Sequence, residues 1–227
     1  MANTTVEPTF SIGVVKTSRQ FRQLGVLVED GSGSMAGGAP GNMTKAQAVS
    51  LATRELLTRF KVSRHVNNFD FAVVTYDNAA AVHTHPTPAV SIDDNASYDP
   101  MAAHGGGTNI AAGLQKAREL VEAFLAQAPA EGVPHSAVIV VMSDGECQNP
   151  DGTRQEAQLI KSGPNGSRVT VCSTLFATVG APNGQAEALL KEIASDPVQN
   201  YKTVYDANTL RGFFIASMSS ASGTVIA

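Results

Sequence analysis

The chain has no cluster of lysine and arginine. Its 16 basic residues are outnumbered by 20 acidic ones, for a formal net charge of −4. Phosphate backbones call for a basic face, so nucleic acid is excluded as the main partner. No apolar run approaches the roughly 20 residues of a membrane-spanning helix. The amino terminus, Met1 to Pro8, is polar and lacks the basic-then-apolar pattern of a secretion signal. These absences predict a soluble protein of the cytoplasm, with no membrane contact. Cysteine is scarce too: Cys147 falls in a loop pattern and Cys172 inside a strand pattern. That is a poor disulfide pair and agrees with a reducing compartment. Charged residues are few, 16% against 43% hydrophobic, which favours a packed core over disorder. At 227 residues the length suits one large domain.

The hydrophobic patterning alternates between two periods. Residues 22–29 read as a central strand. The stretch from Pro40 to Thr44 leads into a helix with Ala48, Leu51, Ala52, Leu56 and Leu57 on one face. Phe69 to Tyr76 reads as a strand, Asp77-Asn78 as a turn, and Ala80 to Thr84 as the returning hairpin partner. Residues 85–107 are loop-rich. Thr108 opens a second helix, running to about Ala128. Ser136 to Ser143 is a continuous apolar strand, as expected for one covered on both faces. A helix over 152–162, a strand over 168–176, a helix over 185–194, a short strand over 202–205 and a terminal helix over 206–219 complete the series, with Asp206 as the last N-cap. Strands alternating with helices predict an α/β fold: a doubly wound, Rossmann-like open sheet, mostly parallel with one antiparallel edge hairpin strand, and helices on both faces. Residues 1–20 form an N-terminal arm or edge strand, with Phe10 to Val15 as its apolar piece, and residues 21–227 a single domain.

Three segments carry oxygen-rich chemistry that a core does not need. Asp30-Gly31-Ser32-Gly33-Ser34 follows the apolar run Leu24 to Val28 and sets a carboxylate and two hydroxyls at alternate positions. Gly105-Gly106-Gly107-Thr108-Asn109 puts a hydroxyl and an amide where a helix begins. Ser143-Asp144-Gly145 ends the apolar strand in a carboxylate. In an open α/β sheet such junctions meet in the crevice at the carboxyl ends of the strands. Gathered oxygen donors suit a hard divalent cation.

These three parts, in this order and at these distances, resemble the von Willebrand factor A domain family and its metal-ion-dependent adhesion site, which combines a D-x-S-x-S run with a distant Thr and a distant Asp. The resemblance spans most of the chain and carries over to Asp30, Ser32, Ser34, Thr108 and Asp144 as metal ligands. It implies that Ser32, Ser34 and, in one state, Thr108 touch the metal directly. Asp30 and Asp144 would bind it directly or through water. Mg2+ is the expected ion, with Mn2+ and Ca2+ as alternatives. The cation keeps an exchangeable position that a carboxylate from a partner protein can fill. By size and the missing signal, the chain is similar to compact stand-alone bacterial members of the family. The function implied is metal-dependent capture of an acidic group on a protein partner, without catalysis. A Mg2+-dependent phosphoester hydrolase and a metal-free scaffold of the same fold stand as alternatives.

Other patterns yield to simpler readings. Gly31-x-Gly33-x-x-Ala36 fits a loose dinucleotide fingerprint. However, Asp30 would face the pyrophosphate, and the next strand-end acid, Asp77, lies 44 positions past Gly33 where about 20 are expected. Gly33 to Ala36 echoes the serine stretch of subtilisin-like proteases, in the wrong chain order. His83 and His85 read as surface histidines, and His104 as a loop histidine that could alternatively line the site's rim. Asp93, Asp94 and Asp99 read as a solvated acidic loop. Glu29, next to Asp30, stands where relatives carry an apolar residue. It is either partly buried or at the exposed mouth.

Overall fold

A computed structural model of the chain describes residues 21–127, 132–181 and 183–222. The expected arm at 1–20 lies outside them. The chain runs β1 (Arg22–Asp30), a two-residue hairpin of β2 (Gly38–Ala39) and β3 (Met43–Thr44), α1 (Lys45–Lys61), β4 (Phe69–Tyr76), β5 (Ala80–Pro88), α2 (Ile110–Leu125), β6 (His135–Ser143), α3 (Pro150–Ser162), β7 (Val169–Phe176), α4 (Gly184–Ile193), β8 (Tyr201–Val204) and α5 (Ala207–Ser222).

Six strands form one sheet in the order β5-β4-β1-β6-β7-β8. Every pairing is parallel except β4 with β5. The expected mixed sheet with one antiparallel edge hairpin is therefore what the chain forms. From β1 the chain crosses to β4 on one side, and after α2 it crosses to β6 on the other. This reversal opens a crevice at the carboxyl end of β1, where ligands of open α/β sheets bind.

Side-chain alternation divides β1 between two cores. Leu27 packs with α1 and α5, including Leu56, Phe60, Phe214 and Met218. Leu24, Val26 and Val28 pack with α2, α3 and α4, including Leu114, Val121, Ile160 and Leu190. Covering both faces explains why all of β6 beyond its first two residues is buried, as its apolar run suggested, and why β4 is buried throughout although its sequence reads as an alternation. A Cβ on Gly25 would lie 2.7 Å from Met218, so glycine there lets α5 lie close against the central strand.

Local signals set the helix starts. Thr44 accepts from the Gln47 amide while the Gln47 side chain accepts from the Thr44 amide, a reciprocal cap that fixes where α1 begins. Asn149 caps α3 with Pro150 at its first turn, two residues earlier than the sequence suggested. Asp206 Oδ1 accepts from the Thr209 amide at 2.8 Å, the N-cap expected of α5. Two boundaries differ more. The strand expected over Ala80 to Thr84 continues to Pro88 through a register shift. α2 starts at Ile110 rather than Thr108, because Thr108 is held outside the helix by its carbonyl's hydrogen bond from Gln148 N, 2.8 Å. No helix among the described residues is long and apolar enough to cross a membrane.

Candidate metal centre at the sheet's carboxyl edge

Four of the five expected ligands meet side chain to side chain above β1 and β6. Asp30 is fully buried at the end of β1. Its Oδ1 accepts from the Ser32 amide at 2.8 Å and its Oδ2 from the Ser143 hydroxyl at 2.7 Å. Ser32 Oγ and Ser34 Oγ lie 3.0 Å apart. The Ser34 hydroxyl donates to Asp144 Oδ1 at 2.6 Å. Thr108 joins through backbone: Gly33 N donates to Gly106 O and Gln148 N to Thr108 O, which lays its loop against both other segments.

The loops are placed by further contacts. The β4–β5 turn holds the glycine run, with Gly106 N donating to Asp77 Oδ2 and Gly107 N to Asn78 Oδ1. Gly31 N donates to Tyr76 O at 2.6 Å. A Cβ at Gly31 would sit 2.3 Å from Pro100 O and 2.8 Å from His104 Cβ, so only glycine permits this close approach. His104 is not at the rim. Its side chain is 7% exposed, with Nδ1 3.1 Å from Asp77 Oδ1 and Nε2 2.9 Å from Thr75 Oγ1. This Asp-His-Thr chain resembles a nucleophile relay, yet Thr75 is buried in β4, closed to substrate. It clamps the loop instead.

The electrostatics favour a cation. Burial pushes the Asp30 carboxyl above its ordinary range. Hydrogen bonds from Ser32 and Ser143 oppose that shift, and repulsion from Asp144 adds to it. Two carboxylates close enough to repel, with two hydroxyls beside them, are what a divalent ion relieves. The spacing agrees. Octahedral oxygens at Mg2+ distances of about 2.1 Å lie about 3 Å apart along an edge, the separation of the two serine hydroxyls. Among the described residues no group of three or more His, Cys, Asp and Glu side chains could hold a metal. Any centre here must combine hydroxyl with carboxylate oxygens, a hard donor set.

Glu29 resolves differently from either sequence alternative. It is wholly buried, facing α1, where Oε1 accepts from the Thr53 hydroxyl at 2.5 Å. Oε2 has no hydrogen-bond partner. Burial pushes its pKa up to about 8, against the lowering effect of the Thr53 bond. It is thus neutral at pH 7 and adds no charge to the site.

Two partners went unnoticed in the sequence. Ser143 lay inside the Ser-Asp-Gly triplet but read as a strand end. Lys45, the first residue of α1, belongs to none of the three oxygen-rich segments, yet its Nζ lies 2.7 Å from Asp144 Oδ2, with side-chain exposures of 10% and 0%. The remaining candidates keep their simpler readings. His83 bonds Thr84 and the Ser97 carbonyl. Asp94 pairs with Lys61, while Asp93 and Asp99 accept from nearby backbone amides. Cys147 and Cys172 are both free.

The von Willebrand factor type A domain family matches residues 26–146, over half of the chain and including all five expected ligands; the chain belongs to this family. Solved structures of the same fold include the pilus adhesin SpaC from Lactobacillus rhamnosus GG, at TM-score 0.70 and 13% identity over 88% of this chain and 30% of that one. The von Willebrand factor domain of the type V pili tip protein Mfa5 from Porphyromonas gingivalis superposes at TM-score 0.67 and 14% identity, over 92% of this chain and 98% of that one. Proximal thread matrix protein 1 from the mussel byssus, solved with zinc in its adhesion-site motif, gives TM-score 0.58 and 20% identity over 88% of this chain and 46% of that one. The chain thus spans less than half the length of SpaC and of the mussel protein. At these identities the likeness establishes the fold. No curated protein sequence matches the chain.

Proposed function

We propose that this chain is a protein-binding module that captures an acidic group of a partner through a divalent cation held by Asp30, Ser32, Ser34, Thr108 and Asp144. The observation that carries the reading is the convergence of Asp30, Ser32, Ser34 and Asp144 into one hydrogen-bonded cluster at the carboxyl edge of the sheet. Ser32 and Ser34 would offer hydroxyl oxygens directly. Asp30, anchored by Ser143, and Asp144, anchored by Lys45, would supply charge directly or through water. Bound there, the ion supplies Lewis acidity toward a partner's carboxylate. Mg2+ is the proposed ion, and Mn2+ suits the same oxygen set. The zinc-occupied motif of the mussel protein supports a divalent cation at this place in the fold.

The surroundings suit a docking surface. A cavity of about 260 Å³ has Glu146, Cys147, Pro150 and Leu189 in its lining, from the loop and helix that follow Asp144 and from α4. Another of about 240 Å³ is lined in part by Lys45, the partner of Asp144, with Pro40, Phe176, Val179 and Tyr205. Side chains flanking a captured carboxylate could enter both.

The test is a calorimetric titration of Mg2+ and Mn2+ into metal-stripped protein, with and without acetate as a surrogate carboxylate, beside an Asp144→Ala variant. Saturable binding in the parent that the variant loses supports the reading. Absence of binding in the parent under both conditions overturns it.

A further inference from the structure

The Lys45–Asp144 pair is unusual for its position. Lys45 opens α1, where the exposed amides and the helix dipole disfavour a cation. Its ammonium is nonetheless tucked in, 10% exposed, at 2.7 Å from Asp144 Oδ2. The Thr44–Gln47 capping box fixes the start of α1, which sets the root of the Lys45 side chain within reach of Asp144. Asp144 thereby has both oxygens engaged, Oδ2 by Lys45 and Oδ1 by Ser34.

We infer that Lys45 is a built-in counter-cation that sets the charge of the metal centre, so that metal and acidic partner bind well only together. The inference rests on the metal-site reading above and adds a residue outside the ligand set. Two carboxylates, Asp30 and Asp144, would balance a divalent ion. The ammonium of Lys45 leaves the assembly one positive charge in excess. That excess weakens retention of the ion alone and is cancelled by one carboxylate from outside. Without metal, Lys45 neutralises Asp144 and holds it in the place where it is needed, so the site is preformed.

Lys45→Met keeps the length of the stem and removes its charge. Lys45→Gln also removes the charge, on a stem one atom shorter with a polar end, and Lys45→Arg keeps the charge. Mn2+ is titrated calorimetrically into each metal-stripped protein, without and with acetate, and melting temperatures are recorded with and without Mn2+. The neutral variants should bind Mn2+ alone about tenfold or more tightly than the parent, the size a unit charge carries against a divalent ion at ion-pair range even with water-like screening. The gain in Mn2+ affinity on adding acetate should shrink in them and persist in Lys45→Arg. A neutral variant that folds only when Mn2+ is added also meets the expectation, because the ion has replaced the ammonium.

Parental binding with equal or weaker Mn2+ affinity in the neutral variants would overturn the inference alone and make Lys45 a purely structural partner. So would a neutral variant that Mn2+ does not rescue. If neither parent nor variants bind Mn2+, with or without acetate, the metal-site reading falls and takes the inference with it.

Discussion

Replacing Glu29 with glutamine should flatten a pH dependence of stability that this one group creates. The carboxyl is wholly buried and its pKa stands at about 8 in the folded chain against an ordinary value of 4.5. Between those values the folded chain holds a proton that the unfolded chain has released. Stability therefore falls as pH rises through that window. The full interval corresponds to about 5 kcal/mol at roughly 1.4 kcal/mol per pH unit, an upper bound because water can enter or the structure relax around the charge. Glutamine keeps the acceptor for Thr53 and cannot ionise, so its unfolding free energy lacks this component. The assay is urea unfolding of parent and Glu29→Gln in EDTA, from about pH 5 to about pH 8.5. Any hydrogen bond the carboxamide lacks shifts the variant by a constant amount. The readout is therefore the difference in slope, with the parent losing several kcal/mol relative to the variant toward high pH. Parallel profiles would refute the reasoning, because Glu29 would then ionise as freely in the folded chain as in the unfolded one.

Arg22→Ala should destabilise by about 3 kcal/mol, because it strands a carboxylate inside the fold. Arg22 grips both oxygens of Asp70, at 2.7 and 3.2 Å, and the Asp70 side chain is only 3% exposed. A loss under about 1 kcal/mol in urea unfolding would show that water reaches Asp70. Gly31→Ala drives a methyl group into Pro100 O and His104 Cβ. It should cost about 2 kcal/mol or more by overpacking and weaken Mn2+ binding by displacing the Asp30–Ser34 loop. An unchanged melting temperature with unchanged Mn2+ affinity would contradict the close approach.

Most of the elements could be read locally because their signals are local. The apolar run ending at Asp30, the turn at Asp77-Asn78 and the cap at Asp206 each involve neighbours a few positions apart. The misplacements share a cause: an interaction from elsewhere overrode the local signal. Thr108 is a good helix cap by type, but a bond from Gln148 holds it outside α2. β5 runs past Thr84 because β4 offers it a partner strand through a bulge.

The sequence by itself determined the alternation of strands and helices, the two-faced burial of β6, and which oxygen-bearing residues cluster at strand ends. These follow from hydrophobic period and residue chemistry, which act along the chain. Only the tertiary structure decided what each oxygen faces. Ser34 meets Asp144 across 110 positions, Ser143 meets Asp30 across 113, and Lys45 meets Asp144 across 99. It also turned Glu29 inward against Thr53 and closed His104 between Asp77 and Thr75. A charged residue at a helix start or a strand end has no preferred partner until the crossovers bring distant loops to one edge. Its charge state and role are then set by burial and by the groups it meets there.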